Sequence, residues 1–364
     1  MPRANPEKSL VKNAVFWILG LPAVLSGCAT PLPITIPPIT SVTPSPTGIP
    51  NSVTSFAGFE FVSVQGTGQI FTYKLSSGSQ VLAGSPYATP CADPSGMVIT
   101  TISNRTVMAV VCYDTASLLT LTVNPDGSLA PLGSLSGLPM PYPGIVLAGT
   151  DVLVPLLGAG TTNGAIAKVS IASPATPVLL ATTTLASPSS GGISNAGYLA
   201  VSGGYIFTTA GSEADPLNTS STIQVLNEAT MTLVGTPLVV PHSPQQLTIQ
   251  GTVLYATIFD AAQLESIDIS NPASLQPLQT FSLTTSSQTC HPIPVVARDA
   301  TAYLGCYAEG TVQLLDVSNP SQIRHASTFP DISNPQRFAF SGNMLLATSG
   351  AKGGSVYQID LATP

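Results

Sequence analysis

Several histidine, carboxylate and arginine residues that could do acid–base chemistry fall between short apolar runs. His242 and His291 each lie beside a proline just before such a run, and Asp260 directly follows one. Arg337 and Tyr142 precede other runs in the same way. A histidine paired with a carboxylate can take a proton from a reacting group and later return one. We therefore treat these five residues as a candidate ligand face.

The same residues also have a structural interpretation. Prolines recur before the apolar runs of most units, so His242 and His291 could serve only to shape those turns. Asp114 and Glu309 follow runs as Asp260 does, but no Gly-x-Ser-x-Gly nucleophile motif or tryptophan-docking repeat accompanies them. The acidic stretch Gly211–Asn218 supplies too few oxygen ligands for calcium. We assign no catalytic residue from the sequence and expect neither a metal nor a cofactor.

The elements that would position these residues form a repeat of about 48 residues. Its marker is an alternating strand that ends in a Ser/Asn/Pro turn, as in Leu264–Pro272 and Val312–Pro320. Seven such strands are centred near residues 73, 121, 169, 225, 267, 315 and 359. Each unit holds four short alternating or apolar segments bounded by Gly, Pro, Asn or Ser. The sequence predicts an all-β fold, a seven-bladed β-propeller, with six or eight blades as the alternatives.

The two ends of the repeat region predict how the ring closes. The last unit stops after its third strand, and the first opens at Phe59 without an inner strand. An open sheet edge favours aggregation, so we expect a strand near Val53–Phe56 to complete the last blade. The predicted division is a signal peptide over 1–27, a linker over 28–52 and the propeller over 53–364.

Two sets of blade motifs resemble known families. The copies Asp-Ile-Ser-Asn-Pro at 268–272 and Asp-Val-Ser-Asn-Pro at 316–320 resemble the LVIVD repeat of bacterial surface propellers. The stretch 66–75 followed by 82–87 is similar to the YVTN or lactonase-like seven-bladed group. The resemblance covers nearly all of 55–364 and implies the fold rather than the function. Lactonase-like propellers use a charged cluster on the face that corresponds to the candidate ligand face. No motif in this chain matches the residues of that cluster.

Four cysteines are placed for two disulfides. Cys91 and Cys290 precede the innermost strand of their units, while Cys112 and Cys306 end the next strand. In an antiparallel pair the start of one strand lies beside the end of the next, which brings each cysteine pair within disulfide reach. Four thiols in an exported chain favour disulfides over a metal site, and no Cys-x-x-Cys spacing occurs.

The N-terminal segment has the three parts of an export signal. Basic residues precede Ala14–Leu25, an uncharged run of twelve residues that is too short to cross a bilayer, although a transmembrane anchor is the alternative. The following Leu25–Cys28 (Leu-Ser-Gly-Cys) resembles the lipobox of bacterial lipoproteins, which implies lipid on the Cys28 thiol. Two or three acyl chains anchor a protein stably. By resemblance to Gram-negative sorting rules, Ala29 favours delivery to the outer membrane, facing the periplasm or the cell surface.

Composition narrows the function of the mature chain. Without residues 1–27, Lys+Arg falls from 10 to 7 and Asp+Glu from 17 to 16, which gives a net charge of −9. So few basic residues exclude a nucleic-acid partner. The uncharged Pro/Thr-rich segment after Cys28 is typical of an extended tether. The membrane, through the lipid on Cys28, is the first expected partner.

Three functions fit these features. The leading hypothesis is an outer-membrane-anchored, non-enzymatic binding or scaffold module for protein, peptide or glycan ligands. A lactonase-like hydrolase with its site at the channel mouth is the first alternative, and a structural surface spacer is the second. A broad aromatic or apolar patch at the channel mouth favours the binder. A cluster of histidine, carboxylate and arginine favours the enzyme.

Overall fold

The structure, a computed structural model, describes residues 39–361 apart from 46, 77–78, 188–192, 212–220, 242–243 and 285–288. These residues form seven sheets of at least four strands each. Over the same ranges there is no helix, and hence no helix long and apolar enough to cross a membrane. The predicted all-β, seven-bladed propeller is confirmed, and the alternatives of six or eight blades are wrong.

The first strand, β1 (Ile39–Val42), belongs to the last blade. Blades 1 to 3 then follow the chain, with an extra short strand, β6, pairing with β4. Their strands are, for blade 1, β2 (Ile49–Phe56), β3 (Phe59–Gln65), β4 (Gln69–Ser76), β5 (Ser79–Leu82) and β6 (Tyr87–Ala88); for blade 2, β7 (Pro94–Ile102), β8 (Arg105–Cys112), β9 (Ser117–Val123) and β10 (Leu129–Ser136); and for blade 3, β11 (Val146–Ala148), β12 (Asp151–Leu156), β13 (Ala165–Ser170) and β14 (Val178–Thr184).

Blades 4 to 7 keep the same order from the inner strand outward. Their strands are, for blade 4, β15 (Ala196–Ser202), β16 (Tyr205–Ala210), β17 (Ser221–Asn227) and β18 (Thr232–Val240); for blade 5, β19 (Pro244–Gln250), β20 (Val253–Ile258), β21 (Gln263–Asp268) and β22 (Gln276–Ser282); for blade 6, β23 (Pro292–Arg298), β24 (Thr301–Cys306), β25 (Thr311–Asp316) and β26 (Arg324–Phe329); and for blade 7, β27 (Pro335–Ser341), β28 (Met344–Ser349) and β29 (Val356–Asp360). All seven marker strands of the repeat are third strands, as the sequence spacing predicts.

Hydrogen bonds within the turn explain the Asp-x-Ser-Asn-Pro motif. In blade 5 the Asp268 carboxylate accepts the backbone N–H of Ser270 at 2.8 Å, and in blade 6 Asp316 accepts that of Ser318 at 3.0 Å. Hydrogen bonds from these serines lower the pKa of both aspartates. The motif therefore closes the turn between the third and fourth strands, a local role that specifies the fold and no ligand.

The same turns also join neighbouring blades. The Ser266 hydroxyl of blade 5 donates to the Pro320 carbonyl of blade 6 at 2.6 Å. Between blades 4 and 5, Gly235 takes a positive φ of 67°, and a Cβ there would lie 2.1 Å from the Ala273 carbonyl oxygen. Only glycine permits this approach, so the motif turns of blades 5 and 6 each dock against the blade before them.

Apolar residues between the blades form the core. Seven buried clusters occur, one at each junction of neighbouring blades including the junction of blades 7 and 1. Middle strands are covered on both faces, which explains their almost continuous apolar runs, such as Val107–Val111. Outer strands face solvent on one side and alternate in burial.

The N-terminal boundary differs from the sequence prediction. Ile39–Val42 pairs antiparallel with β29 and completes blade 7, whereas Val53–Phe56 belongs to β2, the inner strand of blade 1. The propeller thus includes Ile39–Val42 and the start of Ile49–Phe56, which the sequence prediction assigned to the linker 28–52. The Pro/Thr-rich composition was misleading because a proline-flanked segment can still serve as an edge strand when one face finds a partner.

Candidate functional site

The inner strands surround the central channel, and each neighbour contacts the next around the ring. We call the surface around one mouth the channel face: it comprises the connections that enter inner strands and those that leave second strands. A cavity of about 210 Å³ lies in the channel near this face. All seven inner strands or their entrances line it, through Ser52, Val53, Met97, Pro143–Val146, Tyr198, Leu199, Gln246–Thr248, Val295, Val296, Arg337 and Phe338.

A β-bulge near the start of the inner strand recurs in most blades. The register shifts between Ala196 and Leu199, between Pro244 and Leu247, and between Pro335 and Arg337. Proline is accommodated at a bulge because it has no N–H to offer the ladder. Bulges also re-aim side chains, and three polar residues in or beside these bulges line the cavity: Tyr198, Gln246 and Arg337. The recurring prolines therefore have the structural role expected from the sequence.

Tyr198, Gln246 and Arg337 meet across the channel. Each is more than nine-tenths buried. The carboxamide of Gln246 donates to the Gln336 carbonyl at 2.8 Å, and Nη1 of Arg337 donates to the same oxygen at 2.7 Å. The guanidinium carbon of Arg337 lies 4.7 Å from the centroid of the Tyr198 ring. Blades 4, 5 and 7 are thereby linked through a cation–π contact and a shared acceptor.

Tyr142 extends this group toward the channel mouth. Its ring packs edge-on against Tyr198 with centroids 5.5 Å apart. Burial raises the pKa of Tyr198 well above its usual range, and Arg337 partly opposes the shift by favouring the phenolate. Gly144 leaves room for the ring, since a Cβ there would lie 2.9 Å from Cδ1 of Tyr198. The predicted residues Tyr142 and Arg337 are thus brought together, through a tyrosine that the sequence did not single out.

A histidine–carboxylate pair occupies blade 6. Nδ1 of His291 lies 2.8 Å from Oε1 of Glu309, and the His291 backbone N–H donates to Oε2 at 3.1 Å. The ring of Phe259 packs 5.4 Å from the imidazole. If Nδ1 carries the proton toward the carboxylate, Nε2 keeps its lone pair as a proton acceptor. The pair has the arrangement of a general base and its orienting group.

Both predicted disulfides are present. Cys91 bonds to Cys112 with a Cα–Cα distance of 6.0 Å, and Cys290 bonds to Cys306 at 4.9 Å. The Glu309 carboxylate lies within 4.8 Å of the second pair of sulfurs. Because those sulfurs are bonded to each other, they offer no thiolate to a metal. The disulfide instead ties together the two segments that carry His291 and Glu309.

The remaining predicted residues have different outcomes. Asp260 is exposed in the turn after β20. Asp114 accepts the backbone N–H groups of Ala92 and Asp93 at 2.9 and 3.3 Å, which gives it a role in shaping the loop before β7. His242 lies outside the described residues, as do Cys28 and nearly all of the acidic stretch 211–218.

Aromatic and thioether side chains on the channel face were not predicted as a group. Tyr113, Phe259 and Tyr307 each directly follow the second strand of a blade, at equivalent positions in blades 2, 5 and 6. Tyr113 is 39% exposed, and Met140 is 36% exposed on the connection from blade 2 to blade 3. The repeat supplied the signal: aligning the ends of second strands places the three rings on one side of the ring of blades.

Comparisons with known proteins agree with this fold. A family model described as the LVIVD repeat matches residues 246–281, within blade 5. The chain matches no curated protein sequence. Similar solved structures include virginiamycin B lyase from Staphylococcus aureus (12% identity, TM-score 0.64, 89% of this chain and 98% of that one). Others are the periplasmic gluconolactonase of Pseudomonas aeruginosa (15%, 0.61, 86% and 96%) and BamB from Moraxella catarrhalis (13%, 0.53, 88% and 100%).

These low identities establish a shared architecture and transfer no catalytic residue. The LVIVD match coincides with the blade that carries the Asp268 turn motif. The chain is therefore a seven-bladed β-propeller in which residues 246–281 match the LVIVD repeat.

Proposed function

We propose that this protein is an exported, lipid-anchored propeller of the outer membrane that binds a protein, peptide or glycan on its channel face. The observation that carries the binding role is the group of aromatic and thioether side chains on the channel face, of which Tyr113, Phe259 and Tyr307 occupy equivalent positions in three blades. Tyr113 and Met140, at 39% and 36%, are among the exposed large apolar residues of the described part of the chain. Side chains of this kind supply much of the energy of macromolecular interfaces, because they combine a large apolar area with few rotatable bonds or a polarizable sulfur.

The first test is a substitution on the channel face. The mature chain with Cys28→Ala is screened against a displayed peptide library and a glycan array, and the best ligand is measured by calorimetry. Tyr113→Ala combined with Met140→Ala should weaken its binding by about tenfold or more, since exposed anchors contribute roughly 1 kcal/mol each. Both side chains are partly exposed, so the fold should persist.

The matched control removes exposed apolar groups elsewhere. Val81 and Val239 lie on the outer strands β5 and β18 and are 59% and 56% exposed. Val81→Ala combined with Val239→Ala should leave the affinity unchanged. Equal weakening by both pairs, or by neither, would show that the channel face is not the binding surface.

Membrane anchoring depends on a single thiol. Leu25–Cys28 supports the proposal because its resemblance to a lipobox implies that Cys28 receives lipid. Cys28→Ala should shift the exported protein from the membrane fraction to the soluble fraction, because the acyl chains supply the membrane affinity. Fractionation followed by immunoblotting measures the shift. A Cys28→Ala protein that remains in the outer membrane would contradict lipid anchoring.

A specific observation favours a second candidate, a lactonase-like hydrolase. The His291–Glu309 pair has the geometry of an oriented base on the channel face. Binding ranks first because Arg337 packs on Tyr198, which in turn packs against Tyr142, instead of completing a charged cluster with this pair. Turnover of a δ-lactone by the mature protein, lost in His291→Asn but kept in Tyr113→Ala, would reverse this ranking.

A further inference from the structure

Arg337 is an unusual residue in this chain. Seven Lys and Arg residues follow Cys28, and the structure describes all of them. Among these seven, Arg337 alone is buried, with 8% of its surface exposed. Guanidinium groups are seldom buried unless a carboxylate or another anion compensates the lost hydration.

The contacts of Arg337 leave its charge without an anionic partner among the described residues. Nη1 donates to the Gln336 carbonyl, and the guanidinium plane lies against the Tyr198 ring. Nε is buried and has no hydrogen-bond partner there. Among the described residues, the ion pairs are those of Lys168 with Asp151 and Glu228 and that of Glu309 with His291.

The surroundings of Arg337 select for a particular kind of anion. The walls of the cavity of about 210 Å³ combine apolar side chains, such as those of Val53, Met97 and Leu247, with polar groups. Gln246 and Tyr198 add neutral polar groups. One cation suits a singly charged anion, and the apolar side chains on the walls can contact an apolar part of it, whereas a phosphate carries more charge than one arginine can compensate. The strongly negative mature chain further disfavours highly charged anions.

We propose that the channel cavity binds a small organic carboxylate through the guanidinium of Arg337, with its apolar portion against the inner strands. The inference rests on the proposed function only in that the cavity lies near the channel face, which is the proposed binding surface. A carboxylate would supply the buried Nε–H with an acceptor and neutralise the guanidinium.

Calorimetric titration of the mature Cys28→Ala protein tests the proposal. Butyrate and benzoate should bind, while butyramide and benzamide, which match them in shape but lack the charge, should bind at least about tenfold more weakly. Arg337→Gln should weaken butyrate and benzoate binding by roughly 30-fold or more, because the charged hydrogen bonds are lost. Arg337→Lys should recover only part of the affinity, since an ammonium cannot form the paired bonds.

A stability measurement separates a ligand-binding arginine from a structural one. Arg337→Met removes an unpaired buried charge, so the midpoint of thermal unfolding should hold or rise without ligand. Added butyrate should raise the midpoint of the native protein and leave that of Arg337→Met unchanged. A lower midpoint of thermal unfolding for Arg337→Met, together with undiminished butyrate binding by Arg337→Gln, would overturn the proposal. It would show that Arg337 fills the channel and stabilises the fold instead of binding a ligand.

Other outcomes would also overturn it. These are failure of both carboxylates to bind at millimolar concentration, equal binding of the amides, and displacement by chloride at equal concentration. Tyr113→Ala with Met140→Ala should keep carboxylate binding, because neither side chain lines the cavity. If macromolecular binding fails and carboxylate binding persists, the proposed function falls alone. If macromolecular binding persists and carboxylate binding fails, only this inference is overturned.

Discussion

Replacing Cys290 and Cys306 together with alanine is expected to lower the free energy of unfolding by about 3 kcal/mol. The disulfide closes a loop with a sequence separation of 16 residues, and opening it gives the unfolded chain more conformations. Both cysteines are buried, so alanine introduces no polar group into the core. The difference in the free energy of unfolding between the native protein and the variant should be greatest under oxidising conditions, in which the native disulfide is intact.

The second disulfide provides the matched comparison. Cys91 and Cys112 are separated by 21 residues, so their replacement should cost nearly the same. Urea denaturation of the two double variants measures both losses, and the quadruple variant should show their sum because the pairs lie in different blades. A loss below about 1 kcal/mol for either pair would contradict a stabilising role. Only the Cys290/Cys306 change should also shift the NMR resonances of the His291 ring, because this disulfide ties together the segments that carry His291 and Glu309.

The sequence determined the fold more completely than the site, because the repeat encodes it many times. Each third strand carries the same alternation, and the Asp268 and Asp316 turns repeat one set of hydrogen bonds. The disulfides were predictable for the same reason, since the two cysteine pairs occupy equivalent places in two blades, where the start of the inner strand lies beside the end of the next strand. Ring closure was misplaced because Ile39–Val42 occurs once and sits in a segment whose composition is typical of a tether.

The site was only partly predictable because its contacts join distant blades. Tyr142, His291 and Arg337 could be assigned to the channel face from their positions before inner strands. The packing of Arg337 on Tyr198 joins blades 7 and 4, and no local pattern indicates it. Tyr198 reads in sequence as one more aromatic residue in an apolar strand. A one-residue bulge determines that it lines the cavity, and such a bulge leaves little trace in a single sequence.

Glu60 is another residue whose surroundings no local sequence pattern indicates, and its burial has a measurable consequence. It lies in β3 near the junction of blades 1 and 7 and is 0% exposed. Gln80 donates to Oε2 at 2.7 Å, while Oε1 has no hydrogen-bond partner among the described residues. Burial raises the pKa of Glu60 from 4.5 to about 7, against the opposing effects of the Gln80 and Gln358 side chains. Burial, with a smaller contribution from Glu60, likewise raises the pKa of Tyr73 to about 12.

Stability should therefore fall as the pH rises from about 4.5 through about 7. Below this window Glu60 is protonated in both the folded and the unfolded state and has no effect. Within it the folded state binds the proton more tightly, so deprotonation favours unfolding. Above it the cost reaches a plateau of about 3 kcal/mol, which is the shift in pKa converted to free energy. Glu60→Gln keeps the shape and cannot ionise, so it should unfold at higher urea concentration than the native protein at pH 8 and near the same concentration at pH 4.5.

The exposed Asp331 supplies the matched control, since Asp331→Asn removes one negative charge from the surface. Urea midpoints of the native protein, Glu60→Gln and Asp331→Asn are compared from pH 4 to pH 8.5. The difference between Glu60→Gln and native should grow with pH, whereas that between Asp331→Asn and native should stay nearly constant. A Glu60→Gln curve parallel to the native curve would show that the Glu60 carboxyl titrates at its ordinary pKa. A stabilisation by Glu60→Gln that grows with pH would instead show that ionised Glu60 destabilises the junction of blades 1 and 7. The apolar cluster at this junction joins strands of both blades and does not hydrate a carboxylate.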